Sequence, residues 1–316
     1  MTNRINIAAG VIAALLLTTS CCHAKDITIG FSHIALNNPY YIAMEKAARE
    51  GAKAHGITLM IENAGGDVIK QNAQIDAMIE AGVDGLIVNS ATEYGLMAVI
   101  KKAKERKIPV VAIDRPLYGD YLAYVGIDQW RAGVLQGDYF VKTLLPEGGS
   151  IVVLVGTPGE PATIGRGNGM TNIVEHPKFN RKYKILASYR ADYNRELGHQ
   201  KMKEAIAQFA GSIDLVYCLN DAMALGALDA LLEAGLDKVL VAGIDGQKEA
   251  YEEIAKGGQY RSTVINDPAE ITHKAIDILA TYLRSKIIPE TPNVITGTIL
   301  VTKVNVAKYY NPRSEF

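Results

Sequence analysis

Polar and charged side chains follow several short apolar runs of this sequence. Asp114 and Arg115 come directly after the run Val110–Ile113, which lies between two prolines. Ionised carboxylates accept hydrogen bonds, amides donate and accept them, and a guanidinium donates several in a fixed fork. Together these groups suit a small neutral molecule that carries many hydroxyl groups. The other members of the set, each after its own apolar run, are Asn89, Asn220, Asp245 and Asn266.

A single polar residue after one strand is usually a helix cap or a turn residue, and we interpret Asp221 and Asp267 in this way. Tyrosines accompany the polar set: Tyr40 and Tyr41 follow Asn38, and Tyr193 lies in the second half. Aromatic rings pack against the apolar faces of a sugar while polar groups bind its edges. The tyrosines and the polar strand ends therefore predict one shared binding cleft.

Strand and helix patterns alternate along the chain from residue 26, which predicts a doubly wound parallel sheet, and the series starts again after residue 128. The expected fold is therefore α/β, with two doubly wound parallel-sheet lobes joined by a three-crossing hinge. The predicted crossings are Gly126–Asp128, Asn266–Pro268 and Pro289–Asn293. The predicted ranges are 25–126 plus 267–291 for the N-terminal lobe, and 127–266 plus 292–316 for the C-terminal lobe.

The first residues have the pattern of a secretory signal peptide, assigned to 1–24. Arg4 supplies a positive charge, Ile5–Leu17 is almost continuously apolar, and small or polar residues follow up to Ala24. We expect cleavage after Ala24 and a periplasmic protein, with acylation of Cys21 as the alternative. Cys218, inside an apolar run, is expected to be a buried and inert core thiol.

Composition narrows the class of partner. The chain has 316 residues, a net charge of −1, 48% hydrophobic residues and 21% charged residues. These values are those of an ordinary globular protein, and no basic excess is present to neutralise phosphates. A nucleic-acid partner is therefore not expected.

Sequence signals for catalysis or a cofactor are weak. The segment Gly165–Gly169 lacks the Lys-Ser/Thr of a phosphate-binding loop, and the histidines show no metal-ligand spacing. We expect no cofactor, no metal and no enzymatic activity. Asp114 and Asp245 could pair as the carboxylates of a glycosidase, but the neighbouring Arg115 would keep Asp114 ionised rather than proton-donating.

The chain resembles the ribose-type family of periplasmic sugar-binding proteins, the receptors of ABC sugar importers. The matching words are Asn38-Pro39-Tyr40-Tyr41, Gly85–Asn89, Ile113-Asp114-Arg115, Ala191-Asp192-Tyr193, Asn220–Ala227 and Gly243–Gly246. The resemblance implies that tyrosines stack on a sugar and that the other residues bind its hydroxyl groups. The residues it implies are Asn38, Tyr40, Tyr41, Asn89, Asp114, Arg115, Tyr193, Asn220, Asp245 and Asn266.

The sequence departs from the family pattern in the segment Thr163–Gly167. We align Ile164 with an arginine that binds ribose in the family, and Arg166 with a second arginine that makes no contact; both stay in the candidate site. The family's glutamine near the second crossing is Asn266 here, and Ile244 replaces an aromatic residue. These changes favour a different sugar or a polyol over ribose.

The resemblance implies a receptor that closes on a small carbohydrate or polyol and is then bound by the membrane permease of an ABC transporter. A chemosensory or quorum-signal receptor of the same fold is an alternative, and a glycosidase is a third. A transcriptional regulator is disfavoured, because the signal peptide stands where such a protein has its DNA-binding headpiece.

Overall fold

The computed structural model describes residues 26–36, 38–179 and 181–316, which form two α/β lobes around separate sheets. The predicted signal peptide and its Cys21 lie outside the described residues. The α/β fold with two parallel-dominated sheets is the one predicted from the sequence.

The first lobe is built on a parallel sheet. Its strands are β1 (Thr28–His33), β2 (Thr58–Asn63), β3 (Gly85–Val88), β4 (Val110–Ile113), β5 (Ala123–Gly126) and a late strand, β11 (Asn293–Ile295). Their order across the sheet is β11-β5-β4-β3-β1-β2. Strands β3, β4 and β5 are buried along their whole length, as apolar strands covered by helices on both faces should be.

The second lobe repeats this arrangement. Its strands are β6 (Gly149–Val155), β7 (Tyr183–Arg190), β8 (Leu215–Cys218), β9 (Leu240–Ala242), β10 (Tyr260–Val264) and β12 (Leu300–Thr302). Their order is β12-β10-β9-β8-β6-β7, and β12 is antiparallel to β10. In both sheets the direction of winding changes beside the first strand, β1 or β6, and such switch points open a crevice at the carboxyl ends of the strands.

Helices cover both sheets. They are α1 (Pro39–Ala54), α2 (Val68–Glu80), α3 (Met97–Glu105), α4 (Gln129–Tyr139), α5 (Pro161–Val174), α6 (Arg195–Phe209), α7 (Asp221–Glu233), α8 (Lys248–Lys256), α9 (Pro268–Ser285) and α10 (Val306–Tyr309). Helix α4 continues directly into a π-helix over Phe140–Leu144. None of the helices in the described part of the chain is long and apolar enough to cross a membrane.

Three crossings connect the lobes, and hydrogen bonds join them to one another. The first runs from β5 into α4 and the second from β10 into α9, at the two places that the sequence predicted. The third runs from β11 to β12. Thr296 N donates to Gly126 O at 2.8 Å, and Ile265 N donates to Ile299 O at 2.9 Å. The third crossing therefore contacts the other two.

The predicted third crossing at Pro289–Asn293 was wrong. β11 pairs in parallel with β5, so residues 293–295 belong to the first sheet and not to the C-terminal lobe. The chain changes lobes only between Ile295 and Leu300. The sequence indicated extended structure here but not which sheet it joins, because two short strands of similar composition follow one another.

The C-terminal residues return from the second lobe to the first. Lys248 Nζ donates to Pro312 O at 2.8 Å, and Glu315 forms an ion pair with Lys46 of α1 at 2.6 Å. The ring of Phe316 packs edge-on against Tyr40, with 5.4 Å between ring centroids. This C-terminal segment, residues 311–316, therefore contacts α1 beside the first turn.

Two buried side chains illustrate what the cores contain. Cys218 is a free, buried thiol in β8, as its apolar run predicted. His33, at the end of β1, is buried between the rings of Phe31 and Tyr41, and this burial lowers its pKa from 6.5 to about 4. The folded protein therefore holds the His33 imidazole neutral where the unfolded chain would bind a proton.

The free energy of unfolding should fall as the pH is lowered from about 6.5 to about 4, because His33 binds a proton in the unfolded state but not in the folded state over this range. This contribution reaches about 3 kcal/mol. In His33→Leu this part of the pH dependence should be absent, as measured by urea unfolding at several pH values. His176→Gln, at an exposed histidine, should retain the wild-type slope; equal slopes in wild type and His33→Leu would contradict the assignment.

Candidate functional site

A cavity of about 60 Å³ lies between the lobes, at the carboxyl ends of both sheets. Since one water molecule needs about 10–15 Å³ on this measure, the cavity has room for a few waters or one small molecule. Both lobes contribute to its wall. The lining residues are Asn38, Tyr40, Tyr41, Asp114, Arg115, Pro116, Glu160, Pro161, Ala162, Arg166, Tyr193, Asn220, Asp245 and Asn266.

Ten of the twelve candidate residues from the sequence line this cavity, and the two that do not are Asn89 and Ile164. Asn89 is buried behind Asp114, and its Nδ2 donates to Asp114 Oδ2 over a long 3.5 Å. Its place is therefore to support the carboxylate from behind rather than to line the cavity wall.

Asp114 stands at the end of β4 with a positive φ of 61°, which an L-residue adopts at some cost. Backbone contacts hold this conformation: Asp114 N donates to Val125 O, and Tyr124 OH donates to Asp114 O. The carboxylate accepts from Tyr40 OH at 3.1 Å. Burial raises the pKa of Asp114, while the guanidinium groups of Arg115 and Arg166 lower it.

The two tyrosines are positioned by the start of α1. Asn38 is its N-cap residue and accepts from Tyr41 N at 3.0 Å, and Pro39 occupies the first turn. The rings of Tyr40 and Tyr41 meet edge-on, with centroids 5.7 Å apart. Tyr41 OH accepts from Arg115 Nη2 at 3.0 Å. One wall of the cavity thus combines aromatic carbon with fixed hydroxyl groups.

The structure does not bring Ile164, one of the candidate site residues, into the cavity. Ile164 is 50% exposed and lies outside the cavity, whereas Arg166 is 3% exposed and lines it. Both residues belong to α5, and positions two apart on a helix face different directions. Of these two residues, Arg166 therefore supplies a guanidinium to the cavity wall, and Ile164 contributes nothing to it.

Arg166 is held by three acceptors of the second lobe. Its Nε donates to Gln129 Oε1 at 2.7 Å, and its Nη1 donates to Leu219 O at 2.6 Å and to Asp245 Oδ1 at 3.0 Å. Asp245 also accepts from Asn266 Nδ2 at 3.0 Å. Burial raises the pKa of Asp245 and the Arg166 charge lowers it. This buried network fixes a guanidinium and a carboxylate side by side.

One acceptor of this network is left over. Asn266 Oδ1 is buried and has no hydrogen-bond partner within the described residues. Because buried polar atoms are nearly always satisfied, an unpaired acceptor in a cavity wall is suited to a hydroxyl donor from a ligand.

Tyr193 and Asn220 form the remaining wall. Tyr193 has a φ of 59°, and its ring lies so close to Gly156 that a Cβ at that position would collide with it. Its hydroxyl is 2.7 Å from Thr163 Oγ1. Asn220 is the N-cap residue of α7 and accepts from Met223 N at 3.0 Å. As with Asn38, a helix cap and a cavity-lining residue are here the same side chain.

The two aspartates interpreted as cap or turn residues have different places. Asp267 is the N-cap residue of α9, as predicted. For Asp221 the interpretation was wrong, because Asn220 is the cap residue and Asp221 is buried inside α7. Its carboxylate accepts from the backbone N–H of Gly246 and Gln247, and from Tyr260 and Thr263 hydroxyls. It therefore fixes the turn that follows Asp245.

Glu160 was missed by the sequence reasoning. It lies at the N-terminus of α5, and its carboxylate pairs with Arg115 of the opposite lobe at 3.0 Å. The sequence signal was the word Pro158-Gly159-Glu160-Pro161, a turn before a proline-started helix, but no apolar strand precedes it directly. A search restricted to strand ends does not reach such a residue.

Removing one partner of the Arg166–Asp245 pair should destabilise the protein strongly. We expect Arg166→Met to lower the free energy of unfolding by about 3–5 kcal/mol, because it leaves a buried carboxylate unpaired. Arg166→Met/Asp245→Asn should lose clearly less than the sum of the single variants.

The control is Arg195→Met, which breaks an exposed pair with Asp229 and should cost under about 1 kcal/mol. Urea unfolding of all four variants measures these differences. Additive losses for Arg166 and Asp245 would show that the two side chains do not act as a pair.

Residues 29–287 match the protein family described as periplasmic binding protein domain. The ribose import binding protein of Bacillus subtilis is 32% identical over 268 residues, 84% of this chain and 85% of that protein.

Two solved structures of ABC transporter solute-binding proteins are also similar. One, from Mycobacterium smegmatis with bound glycerol, has a TM-score of 0.84 and 33% identity and covers 92% of this chain and 99% of its own. The other, from Bacillus halodurans with bound myo-inositol, has a TM-score of 0.83 and 27% identity over 90% of this chain and 97% of its own. The chain belongs to the periplasmic binding protein domain family.

Proposed function

We propose that this protein captures one small neutral sugar or polyol between its lobes and delivers it to the permease of an ABC transporter. The observation that carries the proposal is the cavity itself, which is lined from both sheets by carboxylates, amides, guanidinium groups and tyrosines. The solved relatives named above hold glycerol and myo-inositol, two neutral polyols, in proteins of the same fold.

The geometry supports binding by closure of the lobes. Asp114 and the two α1 tyrosines belong to the first lobe, whereas Arg166 and Asp245 belong to the second. A ligand held by both sets makes all its hydrogen bonds only when the lobes are together, so it favours the closed state. The closed form is then the one that a permease would distinguish from the open form.

Export is part of this proposal. A receptor that passes its ligand to an importer must work outside the inner membrane, which accords with the signal peptide expected at residues 1–24. We propose a periplasmic location, with attachment through Cys21 as the less favoured form.

The contacts of Asp114 also support capture over catalysis, although burial raises its pKa. A general acid must hold a proton at working pH, but Arg115 and Arg166 both oppose the rise in the pKa of Asp114 that burial causes. Its Oδ1 and Oδ2 accept hydrogen bonds from Tyr40 and Asn89, which favour the ionised form.

A thermal-shift screen of the mature protein tests the proposal. The probes are glycerol, xylitol, ribose, galactose and myo-inositol, each at millimolar concentration. At least one should raise the melting temperature, because a ligand that binds only the native state stabilises it. Calorimetry then gives the dissociation constant, and chromatography of the recovered probe should show it unchanged. No shift with any probe, or conversion of the probe, would contradict the proposal.

Asp114→Ala should weaken binding of the identified probe by about 30–1000-fold, because a charged acceptor for its hydroxyl groups is lost at about 2–4 kcal/mol. Asp120→Ala removes the same charge from an exposed position of the same lobe and should bind like wild type. Circular dichroism checks that both variants fold. Wild-type affinity in folded Asp114→Ala would exclude this carboxylate from the site.

A further inference from the structure

The ion pair between Arg115 and Glu160 joins the two lobes beside the cavity. Arg115 Nη1 lies 3.0 Å from Glu160 Oε1, and Nη2 donates to Oε2 at 3.0 Å. Two parallel N–H···O bonds between a guanidinium and a carboxylate form the most specific geometry available to this pair. Both side chains are largely withdrawn from water, at 16% and 19% exposure.

The backbone before α5 places Glu160 at this position. Glu160 N donates to Thr157 O at 3.3 Å and closes a turn in which Pro158 and Gly159 occupy the two central positions. The φ of Gly159 is 85°, which is the value a type II turn requires at that place. Pro161 then starts the helix. This turn is short and conformationally restricted.

The Glu160 carboxylate is not used by its own helix. Glu160 is the N-cap residue of α5, yet its side chain makes no capping hydrogen bond. It reaches across to Arg115 instead. Since the carboxylate pairs with Arg115 and does not cap α5, its position indicates a role in the cavity rather than in helix formation.

Glu160 changes the charge that a ligand meets. The cavity wall contains three carboxylates, on Asp114, Glu160 and Asp245, and two guanidinium groups, on Arg115 and Arg166. Its formal charge is therefore −1 with Glu160 and zero without it. Each guanidinium already faces a carboxylate.

We propose that Glu160 is a specificity-determining residue that restricts the cavity to neutral sugars and polyols and excludes their carboxylate derivatives. This inference rests on the proposed function and names the class of ligand for that site. A ligand carboxylate would have to displace Glu160 from Arg115 and would leave a second negative charge unpaired in a cleft shielded from water. A hydroxyl group carries no such charge and can donate to Asp114 or Asn266.

The test compares each neutral ligand with the acid of the same carbon chain. Calorimetry with xylitol and xylonate, ribose and ribonate, and glycerol and glycerate gives the ratio of affinities within each pair. The wild type should bind the neutral member of at least one pair at least 100-fold more tightly than the acid. In Glu160→Gln and Glu160→Ala this ratio should fall at least tenfold, because Arg115 then has a charge to offer the acid.

Glu147→Gln is the matched control, since it removes the same charge from an exposed position of the second lobe. It should keep the wild-type ratio. An unchanged ratio in both folded Glu160 variants would overturn the inference and leave the receptor proposal standing, as would equal wild-type affinity for both members of a pair. Absence of wild-type binding to every neutral probe would overturn the proposed function first, and the inference with it.

Discussion

Charges withdrawn from water in one cleft can coexist only when opposite charges alternate, and this constraint organises the site. Arg115 faces Glu160, and Arg166 faces Asp245. Asp114, the remaining carboxylate, accepts from a tyrosine hydroxyl and an amide. Each pair costs desolvation that only good geometry offsets, so the surrounding backbone has to be fixed before the side chains can meet. The caps, turns and positive φ angles around the cavity provide that fixation.

The same strand order in both lobes explains why each lobe contributes one wall of the cavity. Each sheet winds outward from its first strand and opens at one edge, and the hinge turns the two edges toward each other. The cap residues Asn38 and Asn220 follow β1 and β8, which are not counterparts in the two sheets, yet each serves its helix and the cavity together. The crossings are short and hydrogen-bonded to one another, which keeps the two edges aligned.

The sequence was sufficient for the fold class and for most of the residues that line the cavity, because both follow from local patterns. Apolar runs identify parallel strands, and their polar ends identify the two sheet edges that carry Asp114 and Asp245. Features that depend on tertiary pairing were not accessible. Four features require the packed structure: the sheet that β11 joins, the hydrogen bonds that the buried Asp221 accepts, the direction that Arg166 faces from α5, and the contact of Glu160 across the cleft.

The contact between Phe316 and Tyr40 has a practical consequence for work on this protein. A purification tag or fluorescent fusion joined after Phe316 would begin next to a ring whose hydroxyl contacts Asp114. It would also lie beside the ion pair of Glu315 with α1. Affinities measured on such a fusion would include the free energy of rearranging residues 311–316. A removable tag, or attachment at another exposed loop, avoids this contribution.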